Sequence, residues 1–275
     1  MQIPDRPSGE IFAEYHGRDR KRGAVVAAIV ALCVAVGGSA ATVALVTGAG
    51  GHPDASSPAV LVPANFGSTL TESQDKAHSV HFELTLTAAG STTTAHGDLA
   101  FGKTAAETAM TMFMTVPERG EVSVVFIGAE TYVSLGDATA QKFLKIELDD
   151  PTDPLAASVA GLAAAADPGG SVGFPDAAIG SLDVAGPAVV LDGVEAVPYT
   201  VLVSTAAAAT ALGYSAEVVA SLPAQTEYRY WIGPDHLLRK VSYESHGGSV
   251  EVAFTRWGEP VPIEAPTADQ IVAGL

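Results

Sequence analysis

From about Gly67 onward the chain alternates between apolar and polar residues. Val80, Phe82, Leu84 and Leu86 fall on one face of an extended segment; His81, Glu83, Thr85 and Thr87 fall on the other. A period of two is the mark of a strand buried on one side. Strand-like runs recur at Thr94–Phe101, Thr108–Val116, Glu121–Ile127, Thr131–Leu135 and Lys142–Leu148. Their connections are short, which predicts an antiparallel meander. In Thr108–Val116 one face is Met110, Met112, Met114 and Val116. Ser181–Ser204 predicts a hairpin around Leu191-Asp192-Gly193, because Asp-Gly between apolar runs is a strong turn signal. Thr226–Ile232, Leu237–Ser245 and Ser249–Trp257 complete about eleven strands.

Helical patterns interrupt this order. Leu70–Ala77 predicts a short helix, with Thr71 or Ser73 as its cap. Pro154–Ala166 is alanine-rich, follows Asp153 and ends at Asp167-Pro168-Gly169-Gly170, as a capped helix does. Thr205–Leu212 and Ala216–Leu222 predict a helical pair broken by Gly213. The expected fold class is α+β: a strongly curved antiparallel half-barrel sheet with helices packed on its concave face.

Before this domain the pattern differs. Residues 24–46 carry no charge and form an apolar stretch, about 35 Å long as a helix at ~1.5 Å per residue. A bilayer core is about 30 Å thick. Arg18, Arg20, Lys21 and Arg22 stand directly before the stretch, so the positive-inside rule places residues 1–23 in the cytoplasm and the rest outside. The expectation is a cytoplasmic basic tail (1–23), a single transmembrane anchor or signal segment (24–46), a flexible Gly/Pro/Ser/Ala-rich linker (47–66) and an extracytoplasmic domain (67–275). Two other readings stay open: a cleaved signal peptide ending in the small residues Gly37–Ala41, or a lipoprotein signal acylated at Cys33. Against the latter, Leu32 precedes the cysteine and Val34-Ala35-Val36 follow it.

Charge and composition narrow the function. The 275 residues carry 14 Lys+Arg against 31 Asp+Glu, a formal charge of −17, and the acids concentrate after residue 23. A nucleic-acid partner needs a basic surface and is excluded. Charged residues are only 16%, unlike a disordered chain. A single cysteine precludes an intrachain disulfide and a multi-cysteine zinc site.

No Gly-x-Ser-x-Gly elbow, His-Glu-x-x-His motif, phosphate-binding loop or dinucleotide fingerprint appears in the sequence. His78, His81 and Glu83 would hold a metal only if His78, which precedes the strand, converged on the other two. Asp149-Asp150-Pro151-Thr152-Asp153 reads as a solvated loop capping the next helix. Trp231 and Trp257 read as residues packed at strand ends. No catalytic residue, metal or cofactor is expected.

The C-terminal segments carry a resemblance. Tyr230-Trp231-Ile232, the turn Gly233-Pro234-Asp235, Leu238-Arg239-Lys240-Val241, Val250-Glu251-Val252-Ala253-Phe254-Thr255 and Trp257–Pro266 resemble the closing strands of the actinobacterial LppX/LprA/LprF/LprG lipoprotein family. The order of strands and helices resembles the LolA/LolB-like fold over about residues 66–272. The resemblance implies an envelope protein that holds lipids, acylated glycolipids or triacylglycerols in a cavity between sheet and helices. The family is typically attached through a lipidated cysteine, and Leu32-Cys33-Val34 departs from such a site.

The residues point the same way. A sheet face rich in Met and Phe under an Ala-rich helix fills its own centre poorly, and Met adapts to irregular guests. At ~0.8 kcal/mol per CH₂, an acyl chain of about 16 carbons holds on the order of 12 kcal/mol of gross transfer energy. The candidate lining residues are Val80, Phe82, Leu84, Leu86, Met110, Met112, Met114, Val124 and Phe126, with Leu155, Val159 and Leu162 on the helix above them. Plain core packing accounts equally well for any one of them.

The favoured function is therefore a non-enzymatic, membrane-tethered lipid carrier with a lipid or acylated glycolipid as partner. The alternative is an envelope sensor or scaffold that uses the same fold without cargo. A membrane transporter as a further partner stays open.

Overall fold

A computed structural model describes residues 60–272, apart from 89, 103–106, 117–119, 129, 148–173, 212–218, 220–222 and 246–247. Helix α1 (Phe66–Ala77) leads into a meander of β1 (Ser79–Ala88), β2 (Ser91–Ala100), β3 (Ala109–Val116), β4 (Gly120–Ile127), β5 (Glu130–Ser134) and β6 (Leu144–Ile146). A second series follows: β7 (Ile179–Val184), β8 (Val189–Leu191), β9 (Val194–Ser204), helix α2 (Thr205–Ala211), β10 (Gln225–Ile232), β11 (Leu238–Ser245) and β12 (Gly248–Thr255). The sheet has twelve strands in the order β6-β5-β4-β3-β2-β1-β12-β11-β10-β9-β7, with β8 paired to β9 alone. It is open: β6 and β7 end it on opposite sides.

Every strand pair is antiparallel. The two meanders meet at β1 and β12, where Phe82 faces Phe254 and Leu84 faces Val252. The first and last strands of the domain thus form its middle.

The strand count is twelve rather than about eleven because the run before Asp192 is two strands. Gly186-Pro187 interrupts it, and β7 and β8 pair with different parts of β9. Proline supplies no N–H to a ladder, so the break falls there. The Asp-Gly turn forms as expected. Asp192 (φ 49°) and Gly193 (φ 75°) both take the left-handed conformation that suits a two-residue hairpin.

Helix α1 begins four residues earlier than its pattern predicts, and neither proposed residue caps it. The Thr71 hydroxyl donates to the Gly67 carbonyl (2.9 Å) and the Ser73 hydroxyl to the Thr69 carbonyl (3.0 Å), both inside the helix. The cap comes from far along the chain. Asp176 Oδ1 accepts from the Gly67 N–H (2.7 Å), and its Oδ2 accepts from the Ser68 hydroxyl (2.8 Å). A carboxylate at a helix N-terminus satisfies orphan N–H groups and complements the dipole.

The expected tail, apolar segment and most of the linker lie outside the described residues, as do the Pro154–Ala166 helix and the acidic cluster at 149–153. Of the expected Ala216–Leu222 helix only Val219 is described. Among the described residues no helix is long and apolar enough to cross a membrane.

Candidate functional site

Register assembles the apolar stripes into rows that run across the strands. One row is Ile146, Thr131, Phe126, Met110, Leu99 and Val80. The next is Leu144, Val133, Val124, Met112, Gly97, Phe82 and Phe254. A third runs Val122, Met114, Ala95, Leu84, Val252, Val241, Tyr230 and Tyr199. Leu86, Val250, Tyr243, Tyr228 and Val201 form a fourth.

The nine candidate residues on strands fall in these rows, on one face, and all are buried. The three candidates Leu155, Val159 and Leu162 lie outside the described residues.

Gly97 is the gap in the second row. A Cβ there would sit 1.9 Å from the Thr111 carbonyl oxygen and 2.8 Å from the Phe82 ring. Strands β2 and β3 approach closely at this point, and the Phe82 ring occupies the space a side chain would take.

The β9–β12 half of the same face is packed differently, by aromatic rings. Tyr228 lies 4.8 Å from Tyr243 and 6.1 Å from Tyr230, ring centre to ring centre. Phe66 of α1 meets Tyr230 edge-on (5.2 Å, 84°), and Phe174 covers Tyr228 (4.8 Å). Edge-to-face and tilted contacts of this kind are favourable beyond area burial. Burial pushes the Tyr230 phenol well above its ordinary value, and the neighbouring Tyr228 and Tyr243 push it the same way. Burial also raises Tyr228.

The face therefore has two parts: a Met- and Val-rich part on β1–β6, and an aromatic part on β9–β12 that α1 and Phe174 cover.

No protein-family model matches the chain, and no curated protein matches it. Solved structures do. The lipoprotein LppX of Mycobacterium tuberculosis is 16% identical, with 74% of this chain and 98% of that one covered and a TM-score of 0.48. LprF of Mycobacterium bovis is 15% identical over 75% of this chain and 97% of that one, with a TM-score of 0.49. A LolA-superfamily protein of Nitrosomonas europaea is 8% identical over 74% and 96%, with a TM-score of 0.29. LppX and LprF are two of the proteins whose closing strands the sequence resembles.

The opposite face of the sheet is polar on β1 and β2, while on β4 and β5 it buries Val125 and Tyr132. His81 and Asp98, paired across β1 and β2, are joined through Nδ1 and Oδ1 (2.9 Å). Arg256 lies 3.9 Å from the same carboxylate. His78 is the left-handed C-cap of α1 (φ 66°) and is exposed. Trp231 carries Lys240 over its ring at 5.0 Å, and Lys240 pairs with Glu251 (2.6 Å). Trp257 packs at the end of β12, with its indole N–H donating to the Leu238 carbonyl (2.9 Å). Among the described residues no three His, Cys, Asp or Glu side chains are grouped to hold a metal.

Sequence reasoning missed two kinds of interior residue. The tyrosines of β10 and β11 are one, although their alternation with Arg229, Trp231 and Ser242 is visible in the sequence. The other is polar: Gln74 on α1 and Thr131 on β5 are fully buried, and among the described residues their side-chain polar atoms have no hydrogen-bond partner. Gln74 lies four residues after Leu70 on the helix, and that spacing alone places it on the inward side.

Proposed function

We propose that this chain is a non-enzymatic lipid-binding protein of the cell envelope. It holds acyl chains between the Met-rich part of the sheet and the elements that cover it, for transport or presentation. Val80, Phe82, Leu84, Leu86, Met110, Met112, Met114, Val124 and Phe126 are the proposed lining, with Leu155, Val159 and Leu162 above them. Residues 24–46 tether the chain to the membrane, and the domain from residue 67 onward faces outward.

The observation that carries this reading is the continuity of the rows. From β6 to β1 the first two cross six strands, about 24 Å at ~4.8 Å per strand. The second row holds only apolar residues and one glycine. Met112 at its centre, with Met110 and Met114 in the rows on either side, can repack around a guest at little cost. A surface of this kind offers an acyl chain the dry contact it leaves behind in a membrane.

The test is a tryptophan placed in the middle of the second row. Met112→Trp should lower uptake of a fluorescent acyl lipid several-fold while the far-ultraviolet circular dichroism stays that of the parent. Undiminished uptake by a folded Met112→Trp protein would remove this face from the binding site.

A further inference from the structure

The two ends of the sheet are finished differently. At β6, a strand of three residues, the chain's own C-terminal segment covers the edge. Phe143 pairs in parallel with Ile271; its N–H donates to the Gln270 carbonyl (2.8 Å), and its carbonyl accepts from the Val272 N–H (2.9 Å). At the other end stands β7, six residues long, and among the described residues no strand pairs with its outer side. An uncovered edge is a template for another strand, and proteins commonly blunt it with lysine, proline or a short length. β7 contains neither lysine nor proline. Its register shift, between Ile179 and Ser181, lies at its start, and Ser181–Val184 run regularly against β9.

Register fixes what this edge offers. The Ala185 N–H donates to the Pro198 carbonyl (2.8 Å), so Asp183 also turns its backbone groups toward β9. Leu182 and Val184 turn theirs away, and their N–H and C=O groups form the outer edge. The side chains of both belong to the apolar face, opposite Val201 and Tyr199; Asp183, opposite Thr200, is on the other face. Val184 is 65% exposed. Val189 and Val190, on β8 along the same side of β9, are 39% and 70% exposed. Apart from Val60 and Val62, these are the exposed large apolar residues of the described chain.

Charge selects the partner. No lysine, arginine or histidine occurs from Ile146 to Tyr228, while Asp176, Asp183, Asp192 and Glu195 fall on or beside β7–β9. A second copy of this chain would bring those acids against one another, which disfavours the pairing. We propose that the outer edge of β7 takes an extended peptide segment of a protein partner, in which apolar residues alternate with lysine or arginine. The segment adds one strand to the sheet. Its main chain pairs with Leu182 and Val184, its apolar side chains cover Val184, and its bases meet Asp183 on the other face. This surface lies on the far side of β9–β12 from the Met-rich part of the sheet and does not depend on the lipid-binding reading.

The experiment uses the purified full chain and two labelled peptides, read by fluorescence anisotropy. One alternates valine and lysine; the other is the same peptide N-methylated at alternate amides. Methylation leaves charge and side chains in place and removes the N–H groups that a strand needs. The wild-type protein should bind the plain peptide about tenfold more tightly than the methylated one, the step expected for one hydrogen bond. Val184→Pro removes an outward N–H and leaves the ladder to β9 intact, as an edge position allows; it should bring that ratio close to one. Asp183→Lys should weaken binding of the plain peptide several-fold, and it serves alone if the proline variant does not fold. Equal affinity of the wild-type protein for the two peptides would overturn the proposal. So would an unchanged ratio in a folded Val184→Pro protein, or unchanged affinity in Asp183→Lys. A wild-type chain that sediments as a dimer without peptide, and as a monomer once Val184→Pro is made, would assign the edge to a second copy and overturn the proposal as well.

Discussion

At the residue scale, two positions decide how the sheet packs. Gly97 lets β2 and β3 approach, because the Thr111 carbonyl oxygen fills the place of a Cβ. The obstacle is backbone and cannot swing aside. Gly97→Ala should therefore lower stability by about 1–3 kcal/mol, the usual cost of overpacking, read as a fall in the denaturation midpoint. A midpoint equal to the parent's would show that the strands part freely.

Tyr230 is the second position. Its folded-state phenol titrates well above the ordinary tyrosine value. Between the two values the unfolded chain has lost a proton that the folded one keeps, so the stability contributed by the neutral phenol is intact below about pH 10 and declines as pH rises beyond it. Tyr230→Phe should flatten that alkaline decline. A decline as steep as the parent's would assign it to other groups.

At the element scale, α1 depends on a partner about a hundred residues away. Asp176 receives the Gly67 N–H and the Ser68 hydroxyl, and Asn65, the residue before the helix, turns its side chain to the Val62 N–H instead (2.8 Å). Asp176→Ala should cost about 1 kcal/mol, the usual value of a lost N-cap, measured as a shift in thermal midpoint. An unchanged midpoint would mean that water caps the helix equally well.

This contact also shows where sequence reading stops. Strand patterns such as Val80–Leu86 and Met110–Met114 are local, and alternation exposes them directly. The Asp192-Gly193 turn is local as well. The α1 start failed because Thr71 and Ser73 look like caps, while the true cap is remote in sequence. The β7–β8 break is hidden because Gly186-Pro187 falls within an apolar run that looks like one continuous hairpin arm. At the candidate site, the apolar face was legible because apolar residues sit on every second position. Gln74 and Thr131 were not, since a lone polar residue carries no period, and only the fold shows that each is buried without a partner among the described residues.

At the scale of the whole molecule, chain order brings the first strand against the last. The Met-rich meander and the aromatic meander form one face through the β1–β12 pairing. The aromatic half is closed by Phe66 and Phe174; the Met-rich half presents rows of flexible and small side chains from β1 to β6. Under the proposed lipid-binding function, the aromatic half holds the fold together and the Met-rich half receives the guest.

The most direct measurement is organic extraction of the purified full chain followed by mass spectrometry of the extract. The account predicts about one acyl lipid per protein chain, depleted in the Met112→Trp protein. A lipid-free wild-type protein that also takes up no acyl lipid when incubated with it would contradict the account and leave the fold to a sensor or scaffold role.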